Sequence, residues 1–190
     1  GPFNQFIDAG RTCRPAGEAR APRRLLFFGR IIAYKGLDLL LDAYGRLKAD
    51  YPDLSLAIYG DGDISPYRAA LDGLADVTVE NRYIGEEELR GVLEEADLVV
   101  LPYREASQSG VLVLAEAAGL PVVGTPAGAL VEQIVPGVNG LIAAGISGEE
   151  LAASIGRLLD DPALYHRCVQ GISRNAEDRW SEAGDRISRF

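Results

Sequence analysis

A glycine turn feeding a helix, one carboxylate inside that otherwise apolar helix, and a second glycine turn follow one another in Ser107-Gln-Ser-Gly-Val-Leu-Val-Leu-Ala-Glu-Ala-Ala-Gly-Leu-Pro-Val-Val-Gly-Thr-Pro-Ala-Gly128. A helix N-terminus behind a glycine presents free backbone N–H groups and the positive end of the helix dipole, which suits an anion such as phosphate. Glu116 falls two turns further on, where a carboxylate can accept hydrogen bonds from a pair of sugar hydroxyls. Its neighbours Leu112, Leu114, Ala115, Ala117 and Ala118 are apolar, so its presence favours a purpose over a solvated face. Phosphate and ribose held together suggest a nucleotide.

Three other loops carry candidate chemistry. In Gly29-Arg30-Ile-Ile-Ala-Tyr-Lys35-Gly36 an arginine fork and a mobile lysine charge straddle a loop into a helix and can converge on one anion. Taken alone they read as solvated loop cations; at the mouth of a parallel sheet beside a glycine, the anion reading overtakes that. Gly60-Asp61-Gly62 allows close backbone approach, yet it lacks the G-x-G-x-x-G spacing of a dinucleotide site, and a simple turn explains it equally well. Pro102-Tyr-Arg-Glu-Ala-Ser-Gln-Ser-Gly110 offers hydroxyls, an amide and a glycine suited to phosphate or sugar, with Ser109 also placed to cap the next helix.

The elements that must position these loops alternate regularly. Apolar runs at Arg24–Gly29, Leu54–Tyr59, Val77–Glu80, Asp97–Pro102, Pro121–Gly124 and Gly140–Ala143 read as buried strands. Between and after them, Leu37–Tyr51, Pro66–Leu74, Glu86–Ala96, Val111–Ala118, Glu149–Asp160 and Pro162–Asn175 read as helices, Ala129–Ile134 as a short helix or turn, and Trp180–Phe190 as the start of another helix. Strands that are continuously apolar, each followed by a helix, imply a doubly wound α/β domain with a parallel sheet flanked by helices, Rossmann-like, and ligands at the C-terminal strand ends. Residues 1–22 read as a linker or inter-domain segment, 23–178 as the binding domain, and 179–190 as a C-terminal helix.

Composition removes several classes. The chain has 190 residues, 47% hydrophobic and 25% charged, as expected of an ordinary soluble domain. A net charge of −9 without a basic patch disfavours nucleic-acid binding. No apolar segment is long enough to span a bilayer, none reads as a signal peptide, and a cytoplasmic protein is expected. Cys13 and Cys168 lack metal-ligand spacing and read as reduced thiols, and the single histidine, His166, reads as a surface residue, which leaves no histidine-based metal site or triad. With no methionine and a Gly1-Pro2 start, the chain reads as a piece of something longer.

Taken in order, Gly29-Arg30-x4-Lys35-Gly36, Gly60-x-Gly62, Ala96-Asp97-Leu-Val-Val-Leu-Pro102, Ser109-Gly110-x5-Glu116-Ala117-x-Gly119-x-Pro121, Gly128-x3-Glu132 and Gly137-x-Asn139-Gly140 resemble the C-terminal, donor-binding domain of GT-B glycosyltransferases. More narrowly, they resemble the retaining family called group 1, or family 4, from about Arg24 to Trp180. The resemblance implies that Arg30 and Lys35 bind the donor pyrophosphate, that Glu116 binds its ribose, and that Gly29 and the backbone of Ser109, Gly110 and Val111 border the phosphates. It places the base near Asn81-Arg82-Tyr83-Ile84, with Arg82 either covering the base or, more plainly, lying on the surface. The family's sugar-contacting glutamate falls at Gln108, which can hydrogen-bond sugar hydroxyls but carries no charge; Glu105 stands three residues earlier. Arg30, Lys35 and Gln108 are the catalytic candidates.

The resemblance further implies metal-independent, retaining transfer from a UDP-, GDP- or ADP-sugar, without a cofactor. The acceptor would be held by an N-terminal domain of the same full-length protein. Membrane contact would come only through that domain, and this chain alone would turn over little. A noncatalytic nucleotide-binding or regulatory GT-B-like domain, or a GT-B epimerase, is the alternative, and the glutamine at 108 keeps it open.

Overall fold

The computed structural model describes residues 21–187, with side chains over 21–175. The linker expected over 1–22 (apart from its last two residues), Cys13 and the side chain of Trp180 lie outside the described residues. Six strands form one sheet: β1 (Arg24–Phe28), β2 (Ser55–Tyr59), β3 (Val77–Glu80), β4 (Leu98–Leu101), β5 (Val122–Gly124) and β6 (Gly140–Ile142). Their spatial order is β3-β2-β1-β4-β5-β6, and every neighbouring pair is parallel. The winding reverses between β1 and β4, so the crevice where such sheets bind ligands opens at the C-terminal ends of those two strands.

The helices are α1 (Leu37–Lys48), α2 (Arg68–Asp72), α3 (Glu86–Glu95), α4 (Gly110–Ala117), α5 (Leu130–Gln133), α6 (Gly148–Asp160) and α7 (Pro162–Ile187). Central β4 and β5 are buried at every residue and β1 at all but its first, because helices cover both faces. β2 is buried only at alternate positions, and edge strand β3 has no fully buried residue. α1 turns Leu37, Leu40, Leu41, Tyr44 and Leu47 into the core, the helical spacing expected of it. The Tyr44 hydroxyl, in a fully buried side chain, sits 2.7 Å from the carbonyl of Ala75, 3.1 Å from that of Leu54 and 3.2 Å from that of Asp76. It thereby ties α1 to the segments entering β2 and β3.

Asp97 does the same work at the base of the sheet. Its buried carboxylate accepts the backbone N–H groups of Arg23 and Arg24, both at 2.9 Å, and its carbonyl accepts the Tyr165 hydroxyl at 2.7 Å. One residue thus joins the starts of β1 and β4 to α7.

Most boundaries fall within a residue or two of expectation, and two elements differ in kind. The helix expected at Pro66–Leu74 is a 3₁₀ turn at Ser65–Tyr67 running into the short α2. The two helices expected at Pro162–Asn175 and from Trp180 onward are one, α7, whose backbone continues to Ile187. The intervening Ala-Glu-Asp-Arg at 176–179 carries no glycine or proline to break it. Helix α1 ends at Lys48 rather than Tyr51, ahead of Pro52, which restricts the residue before it to extended backbone.

Candidate functional site

The site is assembled from the loops that leave β1, β2, β3 and β4. After β1 the chain passes Gly29 and Arg30 into a 3₁₀ turn at Ala33–Lys35, which the glycine spacing alone did not reveal. Gly36 ends that turn in the left-handed region at φ +68°, and any Cβ there would fall inside the van der Waals shell of the Pro102 carbonyl oxygen. The glycine therefore lets the β1 exit and the β4 exit lie against each other.

The β2 exit is stitched to the same place. Gly60 and Gly62 have φ of +155° and +146°, and side chains at either would overlap the carbonyls of Gly29 and Ile31. Gly60-Asp61-Gly62 is therefore a close-approach segment that forms a parallel bridge with Ile31 rather than a simple turn. Asn81, just beyond β3, donates to the carbonyls of Gly60 (3.1 Å) and Gly62 (3.0 Å), fixing the third loop. Asp63 accepts from the backbone N–H of Ser65 at 3.0 Å and its hydroxyl at 2.6 Å.

Lys35 lies at the centre of the arrangement. A Cβ added at Gly29 would meet its ammonium at 3.3 Å and the Val111 side chain at 3.6 Å, so lysine, glycine and the first turn of α4 share one small volume. The ammonium also stands 5.0 Å from the centroid of the Tyr103 ring, a cation–π distance. Partial burial, and secondarily the Arg30 charge, lower the Lys35 pKa from its ordinary value. A cation short of water and beside a second cation is poised to gain from an anion. Arg30 is exposed and forms no hydrogen bond or ion pair among the described residues.

The helix that faces Lys35 is α4. Ser109 is buried and caps the helix, its hydroxyl accepting from the Leu112 N–H at 3.3 Å, as the sequence suggested. The N–H groups of Gly110 and Val111 belong to the first helical turn, which lacks intrahelical partners. The loop before α4 is braced from behind. The Thr125 hydroxyl donates to the Tyr103 carbonyl, and Ala129 N–H donates to the Ala106 carbonyl at 3.1 Å. Burial pushes the Tyr103 phenol up to about 12; its hydroxyl lies beside that of Ser109 without forming a well-directed hydrogen bond.

Glu116 is half-buried on α4, and its Oε1 accepts the amide of Asn139 at 2.8 Å. Asn139, 3% exposed, also donates to the Gln133 carbonyl at 2.9 Å and accepts the Val135 N–H at 2.8 Å. Gly29, Lys35, Ser109, Gly110 and Val111 are thus brought together around one volume, and Glu116 is held two turns along the same helix. Gln108 and Glu105 are exposed in the loop before it. Arg82 is exposed and engaged by carboxylates, with a bidentate contact to Glu88 at 2.5 and 3.0 Å and a 3.3 Å pair with Glu80.

The sequence reading gave no role to Tyr103, Arg104 or Asn139, though Asn139 stood within a quoted motif. The signal was available for Asn139, a polar residue between glycines before an apolar strand. Cys168 is buried, its thiol pushed up by burial, and the half-exposed His166 faces Gln170 at 3.1 Å. Among the described residues no group of three or more His, Cys, Asp or Glu is placed to hold a metal, and no helix is long and apolar enough to cross a membrane.

A doubly wound parallel sheet with a lysine and a capped helix N-terminus at its switch point is a Rossmann-like α/β domain. Comparison with known proteins narrows the class: residues 22–161 match the family model for glycosyl transferases group 1, and the chain belongs to that family. It is 33% identical over 156 residues to a D-inositol 3-phosphate glycosyltransferase of Arthrobacter sp. (strain FB24), covering 78% of this chain and 36% of that protein. Among solved structures it resembles Anabaena Alr3699/HepE in complex with UDP-glucose (TM-score 0.72, 21% identity, 89% of this chain and 49% of that one). It also resembles the C-terminal domain of a group 1 glycosyl transferase, LpcC, from Francisella tularensis (TM-score 0.70, 21% identity, 84% of this chain and 88% of that one). These structures share the GT-B Rossmann-like fold. The chain spans between 36% and 50% of the length of the curated relatives it matches.

Proposed function

We propose that this chain is the donor-binding domain of a retaining, metal-independent glycosyltransferase that holds a nucleoside diphosphate sugar at the β1–β4 switch point. The observation that carries the reading is the position of the Lys35 ammonium, beside Gly29 and against the first turn of α4. In this reading the donor diphosphate lies between Lys35, Arg30 and the N–H groups of Gly110 and Val111. Glu116 accepts the ribose hydroxyls, and the unit extends over residues 23–178, with the acceptor bound by a further domain of the whole protein. A relative that matches over most of this chain is itself a D-inositol 3-phosphate glycosyltransferase, which supports the class.

Transfer breaks the bond between the anomeric carbon and the diphosphate oxygen, and negative charge grows on that leaving oxygen. Fixed donors already aimed at the charge stabilise it without reorganisation. Lys35 and the α4 N-terminus are such donors, and no metal or cofactor is assigned a role. Gln108 hydrogen-bonds the transferred sugar as a neutral group, leaving charge stabilisation to the phosphate side.

Calorimetric titration of the chain with UDP, GDP and ADP tests this. The expected result is binding of one diphosphate, weakened by Arg30→Ala, Lys35→Ala and Glu116→Ala. Full binding by Lys35→Ala would refute the site.

A further inference from the structure

Three consecutive residues leaving β4 grip the turn that carries Lys35. The Pro102 carbonyl packs on Gly36 where no side chain fits, and the Tyr103 ring lies under the Lys35 ammonium at 5.0 Å. Arg104 closes the grip from outside. Its backbone N–H donates to the Tyr34 carbonyl at 2.7 Å, and its guanidinium makes two hydrogen bonds, at 2.7 and 2.6 Å, to the carboxylate of Asp38 in the first turn of α1. The same guanidinium reaches the Ala33 carbonyl at 3.5 Å. The carbonyls of Ala33 and Tyr34 and the carboxylate of Asp38 thus bracket Lys35 in sequence, and all three are held by one arginine.

Such a pair has little to do with global stability. Arg104 and Asp38 are 41% and 49% exposed, and half-exposed ion pairs contribute little to folding. A two-point fork does fix direction, however, because it specifies both distance and plane. The Arg104 guanidinium beside Asp38 holds that carboxyl below the usual carboxylate range, so the pair is fully charged at neutral pH. Tyr103 supplies the inner wall: its ring is 3% exposed and cannot tilt away from the ammonium.

We infer that Tyr103 and Arg104 are positioning residues for Lys35, with the Arg104–Asp38 fork locking the turn and the Tyr103 ring setting where the ammonium points. The inference rests on the donor reading above, and neither residue is assigned a contact with the donor. Lysine has a long flexible stem, so a fixed ammonium is worth more to a diphosphate than a roaming one.

The test is calorimetric titration with whichever of UDP, GDP or ADP the unmodified chain binds, together with the ring-current shift of the Lys35 ε-methylene protons in the unliganded chain. Arg104→Ala and Asp38→Asn should each weaken binding about three- to tenfold, as expected when one rotamer-rich side chain must be ordered by the ligand instead of in advance, with thermal midpoints unchanged. Neither should weaken it further when Lys35 is already alanine. Tyr103→Phe, which keeps the ring, should bind as the parent does and retain the ring-current shift. Tyr103→Leu should lose both, and if it does not fold, the two exposed variants carry the test alone. Opposite effects from Arg104→Ala and Asp38→Asn would overturn the inference, because freeing an arginine that itself touched phosphate would strengthen binding. So would losses that persist in the Lys35→Ala background, or a parent chain without the ring-current shift. Absence of diphosphate binding by the parent, or full binding by Lys35→Ala, overturns the donor reading and this inference with it.

Discussion

Asn139 offers the sharpest test of how the carboxylate end of the site is held. Its side chain is 3% exposed and makes three hydrogen bonds, to Glu116, the Gln133 carbonyl and the Val135 N–H, between 2.8 and 2.9 Å. Asn139→Ala removes all three together. Glu116 is half-buried and can recover water, but two backbone groups are left without their partner, at about 1–2 kcal/mol each. The expected loss of stability is therefore about 2–4 kcal/mol, read by urea unfolding as a fall in midpoint with unchanged slope. Asn139→Asp is the companion. It is the same shape and keeps the Val135 bond, but it loses both donations and sets a carboxylate against Glu116. Its deficit should exceed that of a neutral isostere at neutral pH and shrink as the pH falls and one carboxyl takes the shared proton. An Asn139→Ala variant within about 0.5 kcal/mol of the parent, the range of ordinary surface substitutions, would refute the network argument, as would an Asn139→Asp deficit that does not respond to pH.

Three further outcomes are expected. Diphosphate binding needs protonated Lys35, so affinity is full below the lysine pKa and falls as the pH rises through it; burial and Arg30 hold that value below the ordinary 10.5, so the fall starts at lower pH than a free lysine would give, and Lys35→Ala abolishes it in a titration series. Stability moves the other way over the same window, rising with pH, because there the unfolded chain holds the extra proton. Tyr44→Phe removes one buried hydroxyl shared among three carbonyls, of which a single proton serves one at a time, and should cost about 1–2 kcal/mol in chemical denaturation. Gly36→Ala forces a left-handed alanine, at about 1–2 kcal/mol, and drives its Cβ into the Pro102 carbonyl. Its thermal midpoint should drop by at least about 2–8 °C, at about 2–4 °C per kcal/mol for a chain of this size, with weaker diphosphate binding because the Lys35 turn is displaced.

The sequence made the layers of this fold legible for a plain reason. β1, β4 and β5 are buried on both faces, so they read as unbroken apolar runs, and α1 carries its core residues at helical spacing. Glycines at 36, 60 and 62 flagged the strand exits because only glycine lets those backbones touch, and Gly29 leaves room for the Lys35 ammonium. Periodicity reports burial, however, and not which side chains meet across the sheet. Tyr103 and Arg104 stand in the Pro102–Gly110 loop with no role assigned to them, since their partners Lys35 and Asp38 lie more than sixty positions away. Asn139 was visible as a residue but not as the partner of Glu116, because the distance in sequence conceals a 2.8 Å contact.

The residues that were legible and those that were not divide along a physical line. Lys35 and Glu116, the groups proposed to meet the donor, announce themselves by type: a cation in a glycine loop and a lone carboxylate in an apolar helix. Their supports, Tyr103, Arg104 with Asp38, and Asn139, are chosen by geometry, and the same types occur at many ordinary positions. Yet the supports decide whether the first group works. A lysine stem has four rotatable bonds, and a half-buried glutamate can turn toward water, so each needs an outer contact to face the site. The β4 exit supplies it for Lys35 at the strand ends, and the β5–β6 connection supplies it for Glu116 beside the start of β6. The two supports share no residue, so their effects on diphosphate binding should add within about 0.5 kcal/mol. Combining Arg104→Ala with Glu116→Gln tests this directly. Strong coupling between them would mean that the phosphate and ribose ends are not held independently, and that the crevice instead closes on its ligand as one unit.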